Sequence, residues 1–311
     1  MTAPPLINAM TVDVEDYFHV SAFADRIARG DWPHYASRVE QNTYRLLRLL
    51  ERTGVRATCF ILGWVAERYP DLVRDIARDG HEIGCHSYWH RLVYDLTPDE
   101  FRDDTIRARS VLEEIIGERV MLYRAPSFSI TQRNLWALDI LAELGFECDS
   151  SVYPIRHDRY GIPGADPFPH RVATPAGELF EFPGSVCRLG GLSIPVSGGG
   201  YFRLYPARLT AWMLERVNAS AGRPFMFYIH PWELDPDQPR MPGSLRSRFR
   251  HYQNLASTKH KLEWLLPRFR LAAMGDVLTA EVSAAMKYDV SRGLYSPASR
   301  LPVTPLVVAK T

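Results

Sequence analysis

The 311-residue chain has almost no excess of charge of either sign: 37 Lys and Arg face 36 Asp and Glu, a formal net charge of +1. That balance excludes a whole-molecule electrostatic footprint for nucleic acid or an anionic membrane and leaves room only for a local patch. Cysteine is scarce. Cys59, Cys85, Cys148 and Cys187 are widely spaced and fit no Cys-x-x-Cys pattern, so they read as buried free thiols of a reducing compartment, not as a disulfide framework. No apolar run approaches the ~20 residues needed to cross a bilayer, so no transmembrane segment is expected. The first residues, Met1 to Asn8, carry no basic stretch and no long apolar stretch, which reads as a cytoplasmic protein without a secretory signal. Internal repeats and low-complexity tracts are also missing. With 46% hydrophobic and 23% charged residues, wholesale disorder is excluded.

What is present is an alternation of strand-like and helix-like segments. Leu6 to Val14 reads as a strand ending in acids, Val39 to Arg52 as a helix stopped by Gly54, and Arg56 to Leu62 as a buried strand. A short helix over 70–78 precedes a strand over 82–85. Thr97-Pro98-Asp99-Glu100 forms a capping box with Pro at the first helical position and opens a helix to about Ile116. Strands at 121–124 and 146–149 flank a helix over 131–144. Five strands separated by helices imply a parallel sheet, open or closed into a barrel. Residues 154–206 are rich in Gly and Pro and read as an inserted loop and hairpin region, including Ser197-Gly198-Gly199-Gly200-Tyr201-Phe202. Alternation resumes with a helix over 206–218, a strand over 225–229, a helix over 258–266 and a strand over 269–273. The expected organisation is one α/β barrel-like domain over 1–285 with a tail over 286–311.

In parallel α/β folds reactive groups collect at the carboxyl ends of the strands. The first strand ends Asp13-Val14-Glu15-Asp16. Three acids within four residues are costly to bury unless a cation compensates. Asp13 and Glu15 share one strand face. The third strand ends with His86 and His90, four apart, which on one helical turn face the same side and suit two metal ligands. With one carboxylate they make a two-His-one-carboxylate site with an open position. Arg124 ends the fourth strand, placed to hold a carboxylate by a charge-assisted bond. Asp149 ends the fifth strand, and His230 ends the strand after the insertion.

Taken in order, these segments resemble the five motifs of the NodB-homology polysaccharide deacetylases, carbohydrate esterase family four. Thr11-Val12-Asp13-Val14-Glu15-Asp16 is similar to the acidic first motif, and His86-Ser87-Tyr88-Trp89-His90 to the His-Ser/Thr-x-x-His motif. Arg124-Ala125-Pro126 matches Arg-x-Pro, Asp149-Ser150-Ser151 looks like the fourth motif, and Ile229-His230-Pro231 like the last. The resemblance covers about residues 7–275. The phrases around Asp13 to Phe18 and His230 to Leu234 look like a subgroup found with exopolysaccharide clusters. One departure stands out: the family has two adjacent aspartates, whereas Val14 follows Asp13 here.

The resemblance implies a distorted (β/α) barrel of about seven parallel strands and a divalent metal, zinc foremost with Co, Ni, Mn or Fe as alternatives. It implies hydrolysis of the N-acetyl group of an amino sugar, in a polysaccharide or its precursor. Asp13 would be the base, and Arg124 would hold it. Asp16, with Glu15 as the alternative, would join His86 and His90 on the metal. His230 would protonate the leaving nitrogen, oriented by Asp149. A backbone N–H near Tyr123 or Ala125 would stabilise the oxyanion. Tyr123, Pro126, Gly199, Tyr201 and Trp232 are the expected substrate-binding residues, so the expected partner is a carbohydrate and not a nucleic acid. Hydrolysis of another amide or cyclic imide, as in allantoinase-like relatives, and a non-catalytic carbohydrate-binding role are the alternative readings. The oligomeric state has no sequence signal.

Overall fold

The computed structural model describes residues 6–281, 287–289 and 294–298. The first half builds β1 (Ile7–Val14), α1 (Val39–Thr53), β2 (Thr58–Ile61), α2 (Gly63–Arg68), α3 (Pro70–Arg78), β3 (Glu82–Cys85), α4 (Pro98–Ile116), β4 (Leu122–Tyr123), α5 (Trp136–Glu143) and β5 (Cys148–Asp149). The strands are apolar and buried on both faces, as parallel strands under a layer of helices must be. The helix boundaries follow local chemistry. Gly54 closes α1 in the left-handed conformation at φ +66°, its N–H reaching the carbonyls of Leu50 and Glu51. Both halves of the expected capping box form at the start of α4: Thr97 accepts from Glu100 N, and Glu100 accepts from Thr97 N.

The second half adds the hairpin β6 (His170–Thr174) and β7 (Gly177–Glu181), then the hairpin β8 (Val186–Leu189) and β9 (Leu192–Pro195). These are followed by α6 (Gly199–Leu204), α7 (Ala207–Ala221), β10 (Met226–Ile229), α8 (Leu245–Tyr252), α9 (Leu255–Leu265), β11 (Arg270–Ala272) and α10 (Met274–Glu281). One sheet runs in the order β10-β1-β2-β3-β4-β5-β7-β6, with β11 beside the first half of β1. Every pairing from β10 to β7 is parallel, and β6 returns antiparallel to β7. The sheet is a distorted barrel. Its seam lies along β10, where the residues flanking the β8–β9 hairpin stitch it without a regular ladder: Met226 N donates to Ser185 Oγ (2.8 Å) and Tyr228 N to Ser197 O (2.6 Å).

The seam explains part of the glycine-rich run. Gly198 bridges to Tyr228 at φ +130°, and a Cβ there would come within 1.9 Å of the Tyr228 carbonyl oxygen. The backbone approach therefore demands glycine. The expected glycine loop over 197–202 is in fact mostly the short helix α6, while the expected hairpins of the insertion form at β6–β7 and β8–β9. All four cysteines are buried and free. Of the expected tail over 286–311, only β12 (Lys287–Asp289) and β13 (Leu294–Ala298), which extend the sheet beyond β6, fall within the described residues.

Thr97→Ala removes the side-chain acceptor of the α4 cap and is expected to lower unfolding free energy by about 1 kcal/mol, read from urea denaturation.

Candidate active site

Successive strand ends arrive at one level. One residue past its strand, His86 N donates to Ile61 O, Arg124 N to Cys85 O and Ser150 N to Tyr123 O. His230 likewise lies one residue beyond the Val12–Ile229 pair, beside Asp13. The parallel ladder thus carries His86, Arg124, Ser150 and His230 to a common mouth. There they meet Asp13 of β1 and Glu15 just past it, and both acids line, with His86, His90, His230 and Trp232 among others, a cavity of about 170 Å³.

Glu15, His86 and His90 form the one cluster among the described residues suited to a metal ion, with their ligand atoms all within 4.8 Å of one another. His86 Nδ1 lies 2.8 Å from the Arg124 carbonyl oxygen. A carbonyl only accepts, so Nδ1 carries the proton and Nε2 keeps its lone pair for a ligand. Glu15 Oε1 accepts from Trp232 Nε1 at 3.1 Å. Glu15 Oε2 is buried 2.8 Å from His90 Nε2, yet among the described residues no donor is aligned with it. An orphaned carboxylate oxygen converging with two imidazoles is a donor set that fits a zinc-like divalent ion. Burial would raise the Glu15 pKa, but the charges of His90, His230 and His86 hold it well below the usual carboxylate range. Burial lowers His86 to about 4, which keeps it in the neutral form that ligation needs.

The expected preference for Asp16 as ligand is wrong. Its Oδ2 accepts from Ser37 Oγ (2.8 Å), Arg38 N (2.7 Å) and Val39 N (3.0 Å), and its Oδ1 from Tyr17 N (3.0 Å). Asp16 caps the start of α1, and burial raises its pKa to about 6 despite those donors. The strand period explains the result: Glu15, two residues from Asp13, shares its face, and Asp16 points elsewhere. The helical turn expected for the histidine pair is also absent. Ser87 and His90 adopt positive φ (61° and 50°), and the loop is tied by Tyr88 N and Trp89 N donating to the buried carboxylate of Asp104 on α4. Sequence reading missed Asp104. Its signal was an acid on the apolar face of α4, three residues after the buried Phe101.

Beside this cluster, Arg124 is fully buried and donates to Asp13 Oδ1 (2.6 Å), Thr11 Oγ1 (2.8 Å), Ser150 O (3.2 Å) and Ser150 Oγ (2.9 Å). Asp13 Oδ2 faces His230 Nε2 across 3.8 Å, and Glu15 Oε1 lies 3.6 Å from the same nitrogen. Asp149 does not touch His230. It accepts from Ser151 Oγ (2.5 Å) and Ser151 N (3.1 Å), and burial raises its pKa beside that of the equally buried Glu181. The carboxylate that orients His230 is Glu233. Its Oε1 accepts from His230 Nδ1 (2.7 Å) and from His230 N (3.0 Å), while Oε2 receives Arg203 Nε (2.6 Å). Burial disfavours the imidazolium, yet Glu233, then Glu15 and Asp13, outweigh it and raise His230 to about 9. Glu233 was legible as an acid three residues after His230, the capping-box spacing it forms around Pro231.

Of the expected substrate-binding residues, Trp232 lines the cavity, its ring stacked between His230 (24°) and His251 (17°). Tyr201 stands behind the wall, its hydroxyl 3.2 Å from that of the lining Tyr160. Tyr123, Pro126 and Gly199 do not line it. Tyr123 packs outward against Phe101 and Phe146, and a Cβ on Gly199 would strike the Tyr228 ring. The Ala125 N–H donates to Ser151 Oγ (2.8 Å), so it is engaged and not an open oxyanion donor.

Residues 31–148 match the polysaccharide deacetylase family model, and residues 150–279 match a domain of unknown function, DUF3473. The chain is 29% identical over 149 residues to a peptidoglycan-N-acetylglucosamine deacetylase of Bacillus cereus, covering 44% of this chain and 53% of that protein. It is 31% identical over 110 residues to a peptidoglycan deacetylase-like protein of Gibberella zeae, covering 35% and 32%. It therefore spans only about a third to a half of these relatives. A crystal structure described as a candidate polysaccharide deacetylase of Mycobacterium smegmatis superposes with a TM-score of 0.55 at 21% identity, over 97% of this chain and 98% of the other, which shows a shared fold.

Glu15→Ala is expected to abolish zinc binding measured by titration calorimetry. Asp16→Ala is expected to retain it while losing about 2 kcal/mol of stability in urea, because the α1 cap is gone.

Proposed function

We propose that this chain, which belongs to the NodB-homology polysaccharide deacetylases, hydrolyses the N-acetyl group of an amino sugar in a polysaccharide or its precursor, releasing acetate. The observation that carries the reading is the pairing of a metal-fitting trio with an acid–base pair at one mouth. Asp13 and His230 face each other beside Glu15, His86 and His90.

Glu15, His86 and His90 would hold a divalent ion, which would supply Lewis acidity toward the amide carbonyl and make water more acidic. The chain's own groups divide the remaining work. Asp13, fixed through Oδ1 by Arg124, keeps Oδ2 directed at the cavity and accepts the proton of the attacking water. His230, charged through the Glu233 contact, offers Nε2–H to the departing nitrogen, which makes the amine a better leaving group. Glu233 and Arg203 hold the imidazole by its other nitrogen, so its proton-bearing Nε2 stays aimed. Trp232, stacked between His230 and His251, backs the His230 ring and secures Glu15 through its indole N–H. A cyclic imide hydrolase would use the same groups. The deacetylase reading is favoured because the curated relatives are described as acting on peptidoglycan N-acetylglucosamine.

Zinc-loaded protein is expected to release acetate from N-acetylglucosamine oligomers, and full activity after metal stripping would contradict the reading. Asp13→Asn is expected to bind zinc normally while kcat falls by about 100-fold or more. Glu233→Gln, a change in a positioning residue, is expected to lower kcat by about 10- to 100-fold with KM little changed.

A further inference from the structure

We propose that the outward face of α8 docks on an anionic lipid surface beside the mouth of the active site. Helix α8, Leu245-Arg246-Ser247-Arg248-Phe249-Arg250-His251-Tyr252, is anchored by its inner residues. Ser247 and His251 are buried, and the His251 ring packs edge-on to Phe23 at 5.0 Å. Its outer face carries two of the most exposed large apolar side chains among the described residues, Leu245 at 84% and Phe249 at 64%. At 100° per residue these two stand 40° apart and form one ridge. Arg248 lies to one side of the ridge, and Arg246 and then Arg250 lie to the other. An apolar ridge between rows of arginine is the arrangement of a helix lying in a membrane interface, where the apolar side chains enter the acyl boundary and the guanidinium groups meet phosphate.

The charge of this face is local and survives its ion pairs. Asp158 receives Arg246 (3.1 Å) and stands 3.9 Å from Arg250, so one acid is set against three arginines. The near-neutral whole chain conceals it. A polysaccharide partner explains the arginines and Phe249 but not Leu245, which offers a sugar neither a ring face nor a hydrogen bond. A hydrocarbon boundary accounts for all five side chains. The last turn of the same helix supplies Arg250 and His251 to the catalytic cavity. A surface docked on α8 would therefore lie next to the cavity, within reach of a saccharide displayed on or near that surface.

The test is co-sedimentation of the full chain with vesicles of phosphatidylcholine alone and of phosphatidylcholine mixed with phosphatidylglycerol. Binding is expected to the mixed vesicles only and to weaken with added salt. Leu245→Ser combined with Phe249→Ser is expected to abolish it. Arg246→Gln combined with Arg248→Gln is expected to weaken it by about fivefold per arginine. Both variants change exposed positions outside the catalytic groups and are expected to keep wild-type deacetylation of a soluble oligosaccharide. That control separates failure of the docking idea from failure of the enzymatic reading. Absence of wild-type binding to mixed vesicles, or binding unchanged in both variants, overturns the proposal. An acidic polysaccharide that binds through Leu245 and Phe249 in place of the vesicles overturns it too, and assigns the face to a polymer.

Discussion

Arg124 is the fully buried cation around which the mouth of the barrel is organised. A guanidinium removed from water is tolerated only when its donors are matched and a carboxylate offsets its charge. Here the matches come from two strands, Asp13 and Thr11 on β1 and Ser150 just past β5, while Arg124 itself lies at the end of β4. The Phe60 ring on β2 lies 4.2 Å from the guanidinium carbon and covers one side. The same residue reaches the metal-fitting cluster through its backbone, because its carbonyl fixes the His86 tautomer. One buried charge therefore sets the aim of the proposed base and the ligand state of a proposed metal histidine together.

The functional groups are spread over the chain in a way that only the closed sheet reconciles. The acids come from β1, the histidine pair and Arg124 from the segment that matches the deacetylase model, and His230, Glu233, Arg203 and Trp232 from the segment that matches the domain of unknown function. The second segment thus contributes to the candidate active site. It carries the imidazole, the carboxylate that orients it and the arginine that holds that carboxylate. Asp149 and Glu181 are left as a buried carboxyl pair beneath the Ser150–Ser151 turn, both raised by burial. Ser151, held by Asp149, accepts from Ala125 N, so Asp149 supports the backbone directly after Arg124, while Glu181 accepts from Val152 N.

Much of this was legible because strand ends and caps are local. The Thr97 box, the Gly54 stop and the strand at 82–85 depend on a few adjacent residues, and the structure reproduces them. Asp13, Glu15, His86, His90, Arg124 and His230 were legible as polar residues at the ends of apolar strands. Reading failed where a choice depended on partners remote in sequence. Asp16 and Glu15 differ in sequence by one step, yet the α1 N-terminus, some twenty residues on, claims the first. Asp149 fitted the family pattern, but a glutamate three residues beyond His230 already occupied the nitrogen it would have served. The glycine run looked like a ligand loop because glycine marks close backbone approach, and here the approach is the barrel's own seam.

The proposed chemistry requires Glu15, His86 and His90 to hold the ion directly beside Asp13 and His230. Anomalous diffraction at the zinc edge from crystals grown with zinc tests this most directly. A single strong peak is expected about 2.0–2.2 Å from a Glu15 carboxylate oxygen and one nitrogen each of His86 and His90, with room left for further ligands. A peak on Asp16, or an ion site remote from Asp13 and His230, would contradict it.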